Sequence, residues 1–347
     1  MTKEFCKICR TKEKIEIDKN DIFLRTDSRD QKFINFKNYI CANCGNIYHA
    51  PEINNKKLVR YYQTKYRNSD ANINLTKGNI DLPLNFKWIS ASFHRFHAFY
   101  KIIKDQKKIK FNKKTKILDY GCYHGAFLYA CKNVFNFKTV GTDYNTAGLK
   151  MAKSLFSVDE VFETNKKFFS KKINADIVSM LHVLEHLGDP VDFLNQIKKN
   201  TLKKKGLLYV EIPNPFSNPL DDPTHLNVYS IDTAKYLIQN CNYKILHIEE
   251  KGVYDSGLVL RDRNNLNIHI LAQSLDNKKV YFEKINIGNK IYSKLKWERK
   301  LIGLKIFYEK LKRLSKLIIN TVATLILLIL NLFFPNLLVK IMKFKNK

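Results

Sequence analysis

The chain has 347 residues, and its 61 lysines and arginines against 32 acidic residues give a formal net charge of +29. This length allows one α/β domain of ordinary size together with smaller appendages. The charge suggests an anionic partner such as nucleic acid, anionic lipid or a phosphorylated substrate, although lysines spread over the whole surface would produce the same value. The first residues are polar and contain no apolar signal peptide, which argues against a secreted, disulfide-stapled protein.

Residues 1–55 are predicted to form a small module around two Cys-x-x-Cys pairs. The four cysteines are Cys6, Cys9, Cys41 and Cys44. In a reducing compartment, four thiolates favour tetrahedral zinc over disulfides. Gly45 follows the second pair and lets backbone N–H groups face the sulfur atoms. Structural zinc is therefore expected, with free buried cysteines or a redox pair as the alternatives.

Residues 56–115 are polar and aromatic, and we predict a helical connector or substrate lid with a helix around Trp88–Lys107. Between residues 116 and 275, short apolar runs alternate with helical patterns, which is typical of βαβ units and a parallel sheet. The predicted strands are Lys116–Tyr120, Thr139–Asp143, Asp159–Glu163, Asp176–Leu181, Gly206–Ile212, Lys244–Glu249 and Asn267–Ala272. The predicted helices are Gly125–Val134, Thr146–Phe156, Pro190–Asn200 and Asp232–Asn240.

The first predicted strand of this region runs into a glycine turn and then a helix. Gly121 can adopt a positive φ and lets a ligand approach the backbone, and the helix after Gly125 presents free N–H groups to an anion. The next strand ends on Asp143, 22 residues after Gly121, where an acid can accept both hydroxyls of a ribose. The structural alternative for Asp143 is an N-cap of the helix that starts near Thr146. These features alone predict a ligand of the adenosine type.

The segment from Leu118 to Gly125 resembles motif I of class I S-adenosylmethionine (SAM)-dependent methyltransferases, which usually reads Asp-x-Gly-x-Gly-x-Gly. Tyr123 stands in place of the middle glycine. The Gly-x-Gly-x-x-Gly pattern of NAD-binding proteins is not met. Residues 176–190 and 203–214 are similar to the fourth- and fifth-strand regions of small-molecule methyltransferases. The resemblance covers about residues 90–275 and implies a Rossmann-like, seven-stranded, mostly parallel sheet flanked by helices.

The same resemblance implies a set of cofactor-binding residues. In the family, the loop after the fourth strand contacts the adenine and the methionine part of SAM, and by position this points to Leu181 and His182. The cysteine pairs, with Pro51 nearby, also resemble zinc ribbons that are fused to sugar and antibiotic methyltransferases. The residues expected to bind SAM are Asp119, Gly121, Cys122, Gly125, Asp143, Tyr144, Leu181 and His182.

The run from His182 to His186 matches H-x-x-E-H, the inverted zinc-peptidase pattern. That chemistry needs both histidines on one helix, whereas the Gly-Asp-Pro sequence at 188–190 interrupts any helix. Some methyltransferases that resemble this region hold magnesium on Glu-x-x-Glu-His, but His182 replaces their first glutamate, so no catalytic metal is expected. Glu185 and His186 stay candidates for catalysis, with loop capping and support of the cofactor pocket as the structural alternative.

The acceptor side is predicted to include His225, which lies on a polar loop after the fifth strand. A histidine titrates near neutrality, so His225 is a candidate general base or acceptor-orienting group; a structural histidine bonded within its loop is the alternative. The same loop histidine recurs in methyltransferases that this segment resembles. Enzymes that methylate base amino groups usually show Asn/Asp-Pro-Pro-Tyr/Phe after the fourth strand, where this chain has Ser-Met-Leu-His at 179–182. An oxygen or carbon of a small-molecule or glycan-type acceptor is therefore expected.

Residues 276–316 are predicted to be basic and helical, and residues 317–339 form an apolar segment of 23 residues without formal charge. A helix of that length measures about 35 Å, enough to cross roughly 30 Å of hydrocarbon. We expect this helix to contact membrane lipid and hold the chain on the cytoplasmic face of a membrane, as a tail anchor or a re-entrant helix. Packing on the domain or on a partner subunit is the alternative.

The leading hypothesis is SAM-dependent methyl transfer to an oxygen or carbon of a small-molecule or glycan-type acceptor at a membrane surface. One alternative is an RNA methyltransferase, which the charge and the zinc module favour, so nucleic acid is a second, less favoured partner. The other alternative is a non-catalytic scaffold that combines a zinc ribbon with a degenerate cofactor fold at a membrane.

Overall fold

The computed structural model describes residues 5–17, 37–50, 55–64, 75–76, 79–80, 86–165, 168–217, 224–252, 266–276 and 284–298. The contacts within the chain divide it into two units, residues 1–295 and residues 296–347. The elements described below belong to the first unit. The apolar segment 317–339 lies outside the described residues, and no described helix has the length and apolar character needed to cross a membrane.

The N-terminal part of the chain contains short strands and two helices. The cysteine pairs flank a small antiparallel sheet in which β2 pairs with both β1 and β3. These elements are β1 (Lys14–Glu16), β2 (Lys37–Cys41), β3 (Ile47–Ala50), α1 (Asn55–Thr64), β4 (Leu75–Thr76), β5 (Asn79–Ile80) and α2 (Phe86–Asp105). Helix α2 buries Phe99, Ile102 and Ile103, whose three- and four-residue spacing places them on one helical face.

The central sheet contains every strand that the sequence predicts between residues 116 and 275, and its helices alternate with the strands. Its strands are β6 (Lys116–Tyr120), β7 (Lys138–Asp143), β8 (Glu160–Glu163), β9 (Ala175–Leu181), β10 (Leu202–Pro213), β12 (Tyr243–Gly252) and β13 (Leu266–Ser274); β11 (Asn227–Val228) lies outside this sheet. Its helices are α3 (Ala126–Phe135), α4 (Thr146–Ser154), α5 (Pro190–Gln196) and α6 (Ile231–Asn240).

The strand order in the central sheet is β12-β13-β10-β9-β6-β7-β8. Strands β6 to β10 are parallel to one another, and β13 lies antiparallel between β10 and β12. The classic NAD-binding sheet has the order 3-2-1-4-5-6 and lacks such a reversed inserted strand. The sheet is therefore mostly parallel, as predicted.

Alternating side chains of the strands divide the core between the two faces of the sheet. Leu118, Val178 and Val210 point to one face, and Ile117, Ile177 and Tyr209 point to the other. The second face is covered by α2, α3 and α4, whereas the first face packs against α5, α6 and the buried cysteines of the N-terminal module. The N-terminal module is thus part of the same core as the sheet.

The helix boundaries differ from the predicted ones by at most four residues, and local caps explain several of them. Gly125 has φ 79°, so α3 begins one residue later than predicted. Asp189 caps α5 by accepting the backbone N–H of Asp192 at 3.0 Å, and Pro190 occupies the first helical position. A π-helical turn at Ile197–Thr201 continues the chain from α5 into β10.

Candidate active site

A cleft of about 340 Å³ opens at the carboxyl edge of the central sheet, above the ends of β6, β7 and β9. This is the edge at which ligands bind in open α/β sheets. The cleft is lined by five residues of the predicted SAM-binding set, namely Gly121, Asp143, Tyr144, Leu181 and His182. The other three members, Asp119, Cys122 and Gly125, are not among its lining residues; Asp119 and Cys122 are buried at 2% and 6% exposure.

The glycine loop after β6 is held tightly against β7. The backbone N–H groups of Gly121 and Cys122 both donate to the carbonyl of Thr142, at 2.8 and 3.1 Å. Gly121 has φ 81°, and a Cβ placed on it would lie 2.6 Å from Cγ2 of Val183. Both its conformation and the lack of space require glycine there. Tyr123 has φ 46°, so it adopts the left-handed conformation that a glycine would adopt readily.

The carboxylate of Asp143 connects the glycine loop to the start of α4. One oxygen accepts the backbone N–H of Tyr123 at 2.8 Å, and the other accepts the backbone N–H of Asn145 at 2.8 Å. The N-cap alternative for Asp143 is wrong, because the side chain of Asn145 caps α4 by accepting the N–H of Gly148 at 2.8 Å. Asp143 therefore holds its side chain at the cleft by two charge-assisted bonds.

Asp119, the acid of motif I, lies beneath the cleft instead of lining it. Its Oδ1 accepts the hydroxyl proton of Ser179 at 2.7 Å. Burial raises the pKa of Asp119 to about 7, although the hydrogen bond from Ser179 opposes the shift. Asp119 thus links the ends of β6 and β9 under the glycine loop.

A network of buried charges supports the floor of the cleft at the end of β10. The carboxylate of Glu211 is fully buried and accepts from Nε of Arg95 at 3.2 Å and Nδ2 of Asn267 at 2.8 Å. His182 lies between two carboxylates, with Nε2 3.2 Å from Glu211 Oε1 and Nδ1 3.2 Å from Glu185 Oε1. Burial and Arg95 lower the pKa of His182, but these two carboxylates outweigh them and raise it. His182 therefore bridges two buried carboxylates at the cleft wall.

Glu185, His186 and His225 come together beside the cleft, although 39 residues separate the last two in the chain. Each offers one ligand or proton-accepting atom, and these atoms lie within 4.8 Å of one another. The rings of His186 and His225 meet edge to face at 4.8 Å. Burial alone would raise the pKa of Glu185, but His182, followed by His186 and His225, lowers it to about 2. This cluster thus pairs a carboxylate with two imidazoles.

The ring of His186 is oriented by two oxygen atoms. Its Nδ1 lies 2.9 Å from the carbonyl oxygen of Thr224 and 2.9 Å from the hydroxyl of Tyr62. A carbonyl oxygen can only accept, so Nδ1 carries the hydrogen, and Nε2 carries the lone pair in the neutral ring. Tyr62 belongs to α1, lines the cleft and stacks on Tyr144 with ring centroids 6.4 Å apart. Helix α1 therefore covers the side of the cleft at which His186 and Tyr144 lie.

The H-x-x-E-H pattern does not form a zinc-peptidase site. His182 follows directly after β9 with φ 56°, and Leu184–His186 is a single 3₁₀ turn, so the two histidines do not share a helix. The donor set that could hold a divalent cation is instead Glu185, His186 and His225. His182 stands where some similar methyltransferases have their first magnesium-binding glutamate. Its two ring nitrogens face the carboxylates of Glu185 and Glu211.

The four N-terminal cysteines form a compact buried cluster. Their sulfur atoms all lie within 4.8 Å of one another, with Cys6 3.5 Å from Cys44 and Cys9 3.3 Å from Cys41. Four thiolates about 2.3 Å from a tetrahedral zinc ion would be roughly 3.8 Å apart, close to these spacings. The N–H of Cys44 also faces Sγ of Cys41 at 3.4 Å. The residues present therefore fit a tetrahedral thiolate-bound ion.

Three residues of the site were not predicted from the sequence. Arg95 lies in the middle of an amphipathic helix, Glu211 lies within an apolar strand, and Tyr62 lies in a polar segment. A charged residue within the otherwise apolar run 207–212 was the one available hint, because a buried carboxylate requires partners. The partners themselves come from distant segments.

The chain is similar to known proteins in sequence and in fold. Residues 93–248 match the sequence family described as a methyltransferase domain. Among solved structures, a SAM-dependent methyltransferase from Archaeoglobus fulgidus is 21% identical and matches with a TM-score of 0.41 over 54% of this chain and 94% of that chain. One from Methanosarcina mazei is 18% identical, with a TM-score of 0.37 over 48% and 95% of the two chains. A third, from Mesorhizobium loti, is 13% identical, with a TM-score of 0.40 over 53% and 97%. The search of curated proteins found no significant relative.

The family match defines the class of this part of the chain. Residues 93–248 form a SAM-dependent methyltransferase domain of the Rossmann-like fold. The match supports a methyltransferase enzyme that uses SAM.

Proposed function

We propose that the chain transfers a methyl group from SAM to an oxygen or carbon atom of a small-molecule or glycan-type acceptor. The observation that carries this proposal is the convergence of Glu185, His186 and His225 beside the cleft. Hydroxyl and carbon acceptors must lose a proton as they are methylated, and a cluster of two imidazoles and a carboxylate provides a base for it. A site for exocyclic amines would need hydrogen-bond acceptors after β9, where His182 is instead held in ion pairs.

Different residues of the cleft would contact different parts of SAM. When bound, SAM supplies an electrophilic methyl group on its sulfonium sulfur. Asp143 and the glycine loop would hold the adenosine part, since Asp143 and Gly121 line the cleft at the carboxyl edge of the sheet. Leu181 and His182 would contact the adenine and methionine parts.

The proton of the acceptor would pass to an imidazole nitrogen of the cluster as the new C–O or C–C bond forms and the C–S bond breaks. We assign this role to His225, with His186 as an orienting neighbour whose Nε2 carries the lone pair. Glu185 would stabilise the imidazolium that forms, because its low pKa keeps it ionised. S-adenosylhomocysteine then leaves as the product.

Two further parts of the proposal concern the regions outside the catalytic domain. The compact cluster of Cys6, Cys9, Cys41 and Cys44 would hold structural zinc. The apolar sequence at 317–339 would place the enzyme on the cytoplasmic face of a membrane. Resistance of the full chain to carbonate extraction from membranes tests the second part, and a fully soluble full-length protein would contradict it.

The acceptor class is tested by incubating the full chain with methyl-labelled SAM and a cell extract, followed by separation of lipids, small molecules, polysaccharides and RNA. We expect label in a small-molecule, lipid-linked or glycan fraction, whereas label confined to RNA would favour the RNA alternative. His225→Ala should abolish this transfer and leave the affinity for S-adenosylhomocysteine unchanged in calorimetry. Full turnover by His225→Ala would remove the assigned base.

A further inference from the structure

The N-terminal cysteine module touches both loops that carry the candidate catalytic residues. One loop follows β9 and includes Glu185, His186 and Asp189. The other follows β10 and includes His225 and strand β11. Strand β11 leaves the methyltransferase domain and joins the sheet of the cysteine module, where Asn227 pairs with Tyr48 and Val228 with Ile47. The four-stranded sheet of the module is therefore completed by the loop after β10, which carries His225 and is called the acceptor loop below.

Two buried asparagines connect a cysteine to these loops by side-chain hydrogen bonds. Nδ2 of Asn227 donates to the carbonyl of Leu187 at 2.7 Å, so its Oδ1 faces the module. That Oδ1 accepts from Nδ2 of Asn46 at 2.7 Å. The same amide nitrogen of Asn46 faces Sγ of Cys6 at 4.0 Å. Asn46 is 0% exposed and Asn227 2%, so water does not compete for these bonds.

The chain of bonds also fixes the orientation of both amides. The carbonyl of Leu187 can only accept, which requires the amino group of Asn227 on that side. Asn46 must then present its amino group to Asn227, and the second hydrogen of that group is directed toward a sulfur atom. A thiolate accepts such a hydrogen, and bonds of this kind orient and tune metal ligands.

Two more contacts join the module to the rest of the domain, one of them at the loop after β9. The guanidinium of Arg10, next to the first cysteine pair, binds both oxygens of Asp189 at 2.8 and 3.2 Å. Asp189 lines the cleft and caps α5. On α6, the hydroxyl of Thr233 donates to the carbonyl of Cys44 at 2.9 Å.

We propose that Asn46 and Asn227 are positioning residues through which the thiolate-bound ion of the cysteine module holds the two acceptor-side loops in their catalytic conformation. This inference rests on the proposed zinc site. Metal binding at such centres is coupled to folding of the segment that supplies the ligands. A module that folds only around its ion therefore offers β3 and Asn46 to the acceptor loop only when the ion is bound.

Thermodynamic linkage gives a direct test with Zn²⁺ as the probe. If the ion orders the acceptor loop, the loop must in turn strengthen binding of the ion by the same factor. Asn227 contacts no cysteine through these bonds, yet Asn227→Ala should lower the Zn²⁺ affinity of the full chain by about tenfold. Asn46→Ala should lower it by about 10- to 100-fold. The affinity is measured by competition with a chromophoric chelator.

Asn214→Ala is the matched control for the affinity measurement. Asn214 is also buried, at 2% exposure, and directly follows strand β10. Its side-chain oxygen, however, accepts the N–H of Phe216 within its own loop. The Zn²⁺ affinity of this variant should equal that of the wild type. An unchanged affinity in Asn227→Ala would overturn the proposal.

Hydrogen exchange measured by mass spectrometry provides the second readout. Removal of zinc by chelation, and separately Asn46→Ala, should speed amide exchange at least about tenfold in peptides covering 184–189 and 224–229, with no change over 116–143. Asn43→Ala is the control within the module. Oδ1 of Asn43 accepts the backbone N–H groups of Ile285 and Asn286, which belong to neither of the two loops. It should leave both loops protected.

Protected loops after zinc removal, or a chain that binds no Zn²⁺, would overturn the proposal. Neither result would affect the proposed methyl transfer, which is tested separately by S-adenosylhomocysteine binding and by label transfer. Conversely, full turnover by His225→Ala would remove the assigned base and would leave the coupling of zinc and loops to be decided by affinity and exchange.

Discussion

Replacing Arg95 with alanine would leave the carboxylate of Glu211 buried with one fewer cation. Arg95 is 15% exposed and Glu211 is 0% exposed, so solvent cannot replace the lost partner. Removing one partner of a buried pair costs about 3–5 kcal/mol. His182 and Asn267 still contact Glu211, so we expect the lower end, about 3 kcal/mol at pH 7.5. For a domain of this size the thermal midpoint should fall by about 6–10 °C.

The interaction is isolated by a double-mutant cycle of Arg95→Ala and Glu211→Gln, followed by urea unfolding. Glu211→Gln removes the charge that Arg95 compensates, so adding Arg95→Ala to it should cost much less than 3 kcal/mol, and the coupling should reach about 1.5 kcal/mol or more. Single effects that add within about 0.5 kcal/mol would refute the reasoning. In that case the two side chains would contribute independently.

The pH dependence of the same pair has a defined sign. Burial alone would raise the pKa of Glu211, but Arg95 and then His182 outweigh it and hold the pKa well below its usual range. A depressed carboxyl pKa contributes stability above the unfolded value near 4.3, and this stability is lost as the pH falls through the folded value. The free energy of unfolding of the wild type should therefore decrease more steeply than that of Glu211→Gln as the pH falls below about 4.

Three further predictions concern the glycine loop and the cysteines. Burial raises the pKa of Asp119 to about 7, so the stability that Asp119 contributes is complete below about pH 4 and is lost as the pH rises toward 7. Asp119→Asn should flatten this pH dependence and raise the free energy of unfolding at pH 8 by about 2 kcal/mol. An unchanged pH profile in urea unfolding would contradict this prediction. Tyr123 has φ 46°, so Tyr123→Gly should keep the affinity for S-adenosylhomocysteine, whereas Tyr123→Val should lose about 1–2 kcal/mol of stability; equal stability of the two variants in thermal unfolding would rule out backbone strain. Elemental analysis should find about one zinc ion per chain, and in Cys9→Ser the zinc content should fall; a zinc content equal to that of the wild type would contradict the four-cysteine site.

The sequence by itself determined the features whose signal is local. The seven strands, the glycine turn and the acid that ends β7 each arise from neighbouring residues, through apolar runs, backbone freedom at Gly121 and the end of a strand. The two Cys-x-x-Cys pairs are equally local, and four cysteines at such spacings have few uses in a reducing compartment. Even the departure at Tyr123 was visible, although its left-handed conformation was not.

Only the tertiary structure decided which distant residues meet at the site. Arg95 and Glu211 are 116 residues apart, Tyr62 and His186 are 124 apart, and Asn46 and Asn227 are 181 apart. Such pairs depend on how helices and loops pack over the sheet edge, and a polar residue in an amphipathic segment is compatible with many packings. The part of the cleft at Gly121 and Asp143 follows from one strand-turn-helix unit and its neighbour. The part near His186 and His225, in contrast, is assembled from α1, two loops and the cysteine module. For that reason a cleft lined by Gly121, Asp143 and Leu181 was predictable from the sequence, and the contact of Asn46 with Asn227 was not.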